Sequence, residues 1–182
     1  MWILLGAIAL LVTWAVVDYN LLVRARNMIN EAWSGIDVQL KRRHDLIPNL
    51  IDSVKAYSSH ERDLFESLSE NRAKSMGTEA IPAKGEVENA LSGQLKTLLA
   101  VAEAYPELKA STNFLALQKS LSEVEDQIQY ARRYYNATVR DYNIRVQSFP
   151  SLISAKLFGF RRADFFEIEY ATERQAPDAK FV

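Results

Sequence analysis

From residue 2 to residue 17 the chain carries no charged side chain. Leu21, Leu22 and Val23 extend the apolar run to Arg24, with only Asp18, Tyr19 and Asn20 interrupting it. At ~1.5 Å per residue a helix over 1–23 covers roughly 34 Å, enough for a bilayer core of about 30 Å. No Lys or Arg precedes the run, and Ala7-Ile8-Ala9 comes too early for an apolar stretch to precede a cleavage site, which argues against a removable leader. A buried core helix would be shorter and would carry polar punctuation on one face. Residues 1–23 are therefore expected to form a transmembrane helix.

Beyond Arg24 the apolar positions change to helical spacing. Ile29, Trp33, Ile36, Leu40 and Ile47 follow one face with no breaker after the apolar run, so the membrane helix is expected to continue out of the lipid. Pro48 disfavours the α region at the residue before it, which predicts a kink or short break at 46–49. The pattern resumes with Leu50, Val54, Tyr57, Leu64 and Leu68, and 77–85 (GTEAIPAKG) reads as a loop. Val87, Leu91, Leu95, Leu98 and Ala102 mark a further amphipathic helix, closed by a turn at 105–108 (YPEL).

Ser111 or Thr112 is the expected N-cap of the last long helix. Within it Phe114, Leu121, Ile128, Tyr135, Tyr142 and Phe149 recur every seven residues, with Leu117, Val124, Ala131 and Thr138 at the second heptad position until Arg145. That is a coiled-coil or bundle seam, and its aromatics favour a bundle core over a two-stranded zipper. After Pro150 a short apolar helix over 152–158 is stopped by Gly159, an acidic-aromatic segment covers 164–170, and 176–182 reads as a frayed tail.

The expected fold is all-α: a transmembrane helix continuing into an antiparallel bundle of three to four long helices. The bundle spans 24–158, with main helices at 24–76, 86–104 and 111–149, and a C-terminal extension occupies 159–182.

Charge adds an orientation. Arg24 and Arg26 follow the apolar run directly and Lys41-Arg42-Arg43 come later, so the positive-inside bias puts the N-terminus outside and the helical domain in the cytoplasm. The whole chain has 22 Lys+Arg against 23 Asp+Glu, a net charge of -1, so no basic field points to nucleic acid. It has no cysteine, which removes thiolate metal sites, disulfides and a Cys nucleophile together.

Catalytic chemistry finds little support. His44 and His60 would point nearly opposite ways around one helix, and neither is preceded at the third position by the Glu that a di-iron carboxylate bundle requires. Both read as residues of a polar helix face. Glu103, Glu107, Glu123, Glu125 and Asp126 read as solvated carboxylates. No zincin, nucleophile-elbow, P-loop or dinucleotide motif occurs. The basic triplet at 41–43 is open to three uses: salt bridges within the bundle, polar contacts with a partner, or anionic lipid.

Several blocks together resemble the LemA family of bacterial membrane proteins. They are YNxLVxxRNxxxEAWSxIDVQLKRRxDLIPNL at 19–50, VKxYxxHE at 54–61, AEAYPELKA at 102–110, NFxxLQ at 113–118, ARRYYNxxVRDYN at 131–143 and the Phe149-Pro150 pair. The resemblance covers nearly the whole chain and fades after Phe160. It implies one N-terminal membrane helix followed by a helical bundle, and it implies no reaction. Its marker residues Tyr19, Asn20, Trp33, Asp37, Arg42, Arg43, Pro48, Tyr105 and Asn136 are candidate interaction or structural residues and compose no active site. A magnetosome-membrane relative in the family suggests, by analogy, the organisation of membranes.

The expectation is a non-enzymatic, membrane-anchored scaffold that self-assembles at the bacterial inner (plasma) membrane, with no cofactor and no metal. Its partners would be the lipid bilayer, further copies of itself and possible other membrane proteins. The alternative is an accessory binding module for another membrane protein, such as a protease or envelope-stress factor.

Overall fold

The computed structural model describes residues 1–58 and 60–167, so the tail expected at 176–182 lies outside the described residues. The described chain is all-α. Its elements are α1 (Trp2–Lys55), α2 (Arg62–Gly77), α3 (Ile81–Glu103), α4 (Pro106–Lys109), α5 (Thr112–Gln147) and α6 (Ser151–Phe158), with no strand among the described residues. They form two compact units. The first holds Met1–Arg43 and Ser122–Phe165; the second holds His44–Leu121 and, of the described residues after Phe165, Phe166 and Glu167.

In the first unit the apolar N-terminal part of α1 is long enough to cross a bilayer, and only 6% of its most apolar window is buried within the protein. Burial begins at Asp18 and Leu22, then follows Ile29, Ala32, Ile36, Leu40 and Arg43 at the three-and-four spacing of one helix face. The second half of α5 buries Val124, Ile128, Tyr135, Val139, Tyr142 and Val146. In the second unit a single core gathers Ile47, Leu50 and Val54 of α1, Phe65 and Leu68 of α2, Leu91, Leu95 and Leu98 of α3, Leu108 of α4, and Phe114 and Leu121 of α5.

Of the kink or short break expected at 46–49, the break is not there. α1 runs through Pro48 to Lys55, and the interruption comes between Lys55 and Arg62, so the expected helix over 24–76 is the end of α1 followed by α2. An interior proline costs about 3 kcal/mol, chiefly because it removes one N–H from the ladder and crowds the carbonyl four residues back. That carbonyl belongs to His44. It accepts a hydrogen bond of 2.7 Å from Nε of Arg72 on α2 instead. A bond from a charged donor contributes roughly 1.5–3 kcal/mol, and the next turn is held by fully buried Leu50 and Val54. Together these outweigh the defect.

Two further boundaries differ from expectation. Much of the loop expected over 77–85 is helical: α3 starts at Ile81 because Pro82, whose ring pre-sets a helical φ, fits the first turn. Gly85 lies inside it and is buried; a Cβ there would come within 2.7 Å of the Glu167 carbonyl oxygen and 3.7 Å of the Phe166 ring. The turn expected at 105–108 contains α4, which likewise starts on a proline. α5 ends at Gln147, two residues short of the expected end, and the last heptad residue, Phe149, lies outside it and is exposed.

The segment after α6 is pinned without secondary structure. Gly159 closes α6 in the left-handed conformation (φ 73°), and the Phe160 N–H returns to the Ala155 carbonyl at 2.9 Å. Asn143 then grips the Ala163 backbone from both sides: its Nδ2 donates to the carbonyl and its Oδ1 accepts from the N–H, each at 2.9 Å.

Arg72→Met should lower stability by ~1–3 kcal/mol, because the His44 carbonyl loses its donor. Pro48→Ala returns a backbone N–H to that carbonyl, so the same Arg72 substitution should cost less in the Pro48→Ala background. Denaturation of the four proteins measures the coupling; strictly additive effects would refute the link.

Candidate functional site

The family-marker residues do not converge on one place. Arg43 is completely buried, and its Nη1 pairs with Glu125 Oε1 at 2.7 Å, with the Glu125 side chain 29% exposed. Glu125, expected on a solvated face, is therefore an ion-pair partner. Arg42 is exposed, and its Nη1 reaches only Gln39 Oε1 at 3.4 Å along its own helix. The basic triplet thus divides: Arg43 is used within the fold, while Lys41 and Arg42 face outward.

Trp33 is half-buried and meets the Tyr135 ring edge-on, centroids 5.4 Å apart. Tyr135 is fully buried and donates its hydroxyl to the Asp164 carbonyl at 2.9 Å. Burial, and after it the Asp164 charge, push its pKa from 10.0 up to about 12. Burial also raises Tyr142, partly offset by the Arg26 cation. Asn136, next to Tyr135, is half-buried, while Asp37 and Asn20 stand at exposed positions.

Tyr19 lies where α1 begins to be covered. Its ring meets Phe158 and Phe160 edge-on at 4.9 and 5.8 Å. One residue before it, buried Asp18 accepts a 2.7 Å hydrogen bond from the Ser151 hydroxyl at the start of α6.

In the second unit Pro48 is exposed and Tyr105 packs half-buried against the core. Pro48 borders an open groove of about 680 Å³ with Ile47, Ile51 and Phe65 on its apolar floor and Lys55 and Arg62 among its charged rim.

The same unit holds a polar cluster that the sequence did not suggest. His44, expected on a polar face, is buried and sets Nε2 3.0 Å from Oε1 of the fully buried Glu88 on α3. The buried Ser75 hydroxyl of α2 donates to that same oxygen. His60 is exposed.

Histidine, carboxylate and serine here do not form a nucleophilic triad. An activated hydroxyl needs a base accepting its proton and an open path for substrate. Here serine and histidine both turn to the carboxylate, and all three are enclosed. The arrangement ties α1, α2 and α3 together as a satisfied polar core. Among the described residues no group of three or more His, Cys, Asp or Glu could hold a metal ion. The missed signal was spacing: His44 follows Leu40 by four and precedes Ile47 by three, and Glu88 precedes Leu91 by three.

Because the Tyr135 pKa is higher folded than unfolded, its contribution to stability is complete below pH 10 and is lost as pH rises through about 12. Denaturation midpoints between pH 9 and about 12 should fall for the wild type and fall less for Tyr135→Phe. An equal fall in both would contradict the assigned environment.

A family model described as the LemA family matches residues 32–181. Among curated proteins, magnetosome protein MamQ 2 of Paramagnetospirillum magneticum is 26% identical over 179 residues, covering 82% of this chain and 64% of the relative. Magnetosome protein MamQ of Magnetospirillum gryphiswaldense is 24% identical over 181 residues, covering 85% and 66%. Protein LemA of Metamycoplasma hominis is 28% identical over 135 residues, covering 71% and 60%. The chain thus spans less than two thirds of the length of each of these relatives. With its apolar N-terminal helix, this similarity makes it a membrane-associated helical protein. By the match of the family model over most of its length, the chain belongs to the LemA family.

Proposed function

We propose that this protein is a non-enzymatic scaffold, anchored by α1 in the bacterial inner membrane with its N-terminus outside and its helical domain in the cytoplasm, and that it self-assembles there. The long seam of α5 does not support this reading, since Phe114, Leu121, Ile128, Tyr135 and Tyr142 are consumed within the chain. What supports it is a different stripe of the same helix. Tyr130, Tyr134 and Ile144 are large and exposed, with Tyr134 and Ile144 each about 40° to either side of Tyr130 around the helix axis. Arg133 lies over the Tyr130 ring at 5.4 Å. Exposed tyrosines beside an arginine have the composition of a subunit interface core.

The anchor strengthens the argument. Copies held in one membrane share an orientation and present the stripe at the same height. Confinement also raises their effective concentration, so a contact too weak in solution can suffice. A two-fold contact of this kind places the same patch on both subunits. The magnetosome relatives agree with a role at a membrane and add no reaction.

A second reading, an accessory module for another membrane protein, is favoured by the groove beside Pro48. Its apolar floor and charged rim suit an amphipathic helix of a partner.

Detergent-extracted protein should be larger than a monomer by mass photometry, with the larger species growing with concentration. Tyr130→Ala/Tyr134→Ala/Ile144→Ala should shift it to monomer while circular dichroism stays unchanged. A wild-type monomer at every concentration would overturn the self-assembly claim. If the wild type is monomeric and membranes yield a stoichiometric second protein cross-linked at Glu66→Cys, the accessory reading replaces it.

A further inference from the structure

The faces of α6 are reversed relative to a water-exposed helix. A helix on a soluble domain turns its large apolar side chains inward and its small or polar ones out. In α6 the small residues Ser154 and Ala155 are buried, and Ser151 is bonded to Asp18. Ile153 and Leu157, one turn apart on the other side, are 53% and 74% exposed, and the adjoining Phe149 is 81% exposed. An outward apolar face beside small inward residues is the pattern of an element whose outer solvent is not water.

Its position says which solvent. The Ser151–Asp18 hydrogen bond and the packing of Phe158 and Phe160 on Tyr19 fix α6 to one level of α1. Along α1 that level stands ~24 Å past Trp2, some 6 Å short of the full ~30 Å of a bilayer core. Helices that lie in a membrane surface bury their apolar face about 5–10 Å deep, at the headgroup–acyl boundary. The two depths agree. The charges agree as well: Lys156, Arg161 and Arg162 are exposed on and after α6, and Arg24 is exposed on α1 just beyond Asp18. A basic collar at this level matches anionic headgroups.

We propose that α6 is a second membrane-contacting element, an interfacial helix that lays Ile153 and Leu157 into the lipid beside the α1 span. It also encloses Asp18, so that the one carboxylate of the apolar segment faces protein rather than hydrocarbon. The lipid surface is the occupant of this face, and the inference rests on the reading of α1 as a membrane span.

The chain has no cysteine, so single probes can be placed in the full-length protein. Ile153→Cys, Leu157→Cys, Leu10→Cys and Glu79→Cys, each labelled with an environment-sensitive fluorophore, are reconstituted in vesicles of phosphatidylethanolamine and phosphatidylglycerol. Circular dichroism equal to the wild type establishes that each is folded. Probes at 153 and 157 should show blue-shifted emission, loss of intensity to lipids spin-labelled high on the acyl chain, and protection from aqueous iodide. The probe at 10 should be quenched by deep labels, and the probe at 79 only by iodide.

If 10 is quenched by lipid while 153 and 157 remain as open to iodide as 79, the span stands and the interfacial helix is wrong. If 153 and 157 are shielded from iodide yet untouched by lipid labels, protein covers the face, and the proposal is equally wrong. If 10 itself escapes the lipid labels, the span reading fails and takes this inference with it.

Discussion

A helix that passes from an apolar, bilayer-length segment into a folded domain must keep its backbone ladder intact and its polar groups partnered, and α1 meets one threat to each. At Asp18 a carboxylate falls within the apolar segment, where an uncompensated charge is costly. At Pro48 the ladder loses an N–H inside a helix that runs from Trp2 to Lys55. Each is met by a side chain distant in sequence, though at Asp18 only for one oxygen: the Ser151 hydroxyl donates to Asp18 Oδ1, and the Arg72 guanidinium to the His44 carbonyl. Without Arg72 the His44 carbonyl would be left with no donor at the proline.

Several of the candidate motif residues are committed within the fold, while Asn20, Asp37 and Arg42 are exposed. Arg43 pairs with Glu125, Trp33 packs on Tyr135, Tyr19 meets the Phe158 and Phe160 rings, and Pro48 sits at a ladder defect inside α1. Breaking a buried ion pair by removing one partner is strongly destabilising, because it leaves an uncompensated buried charge. His44, Glu88 and Ser75 belong to the same class: a closed polar core that fixes how three helices meet. Exposed apolar surfaces among the described residues include the outer stripe of α5, the groove that Pro48 borders and the outer face of α6.

Much of the fold was legible because helix periodicity is a local signal. The apolar run of α1, the Val87-to-Ala102 pattern and five of the six heptad positions of α5 all lie where spacing put them. What was illegible depended on partners far along the chain. Pro48 reads as a breaker because its replacement donor is supplied by Arg72, which no window around 48 contains. Phe149 extends the heptads on paper, but α5 has already ended at Gln147. His44 and Glu88 read as polar punctuation until their pairing makes burial tolerable. The segment after α6 has no period at all, because it is held by Asn143 and Tyr135 rather than by its own pattern.

The fold depends on α1 being one uninterrupted helix from the apolar segment through Pro48. A nitroxide scan over 12–60, one cysteine at a time in nanodiscs, measures it directly through oxygen and water-soluble relaxant accessibility. An uninterrupted helix gives a continuous period of about 3.6 residues through 46–49, with periodicity lost only after Lys55. Loss of that period at 46–49, with a new phase beginning at Leu50, would contradict it.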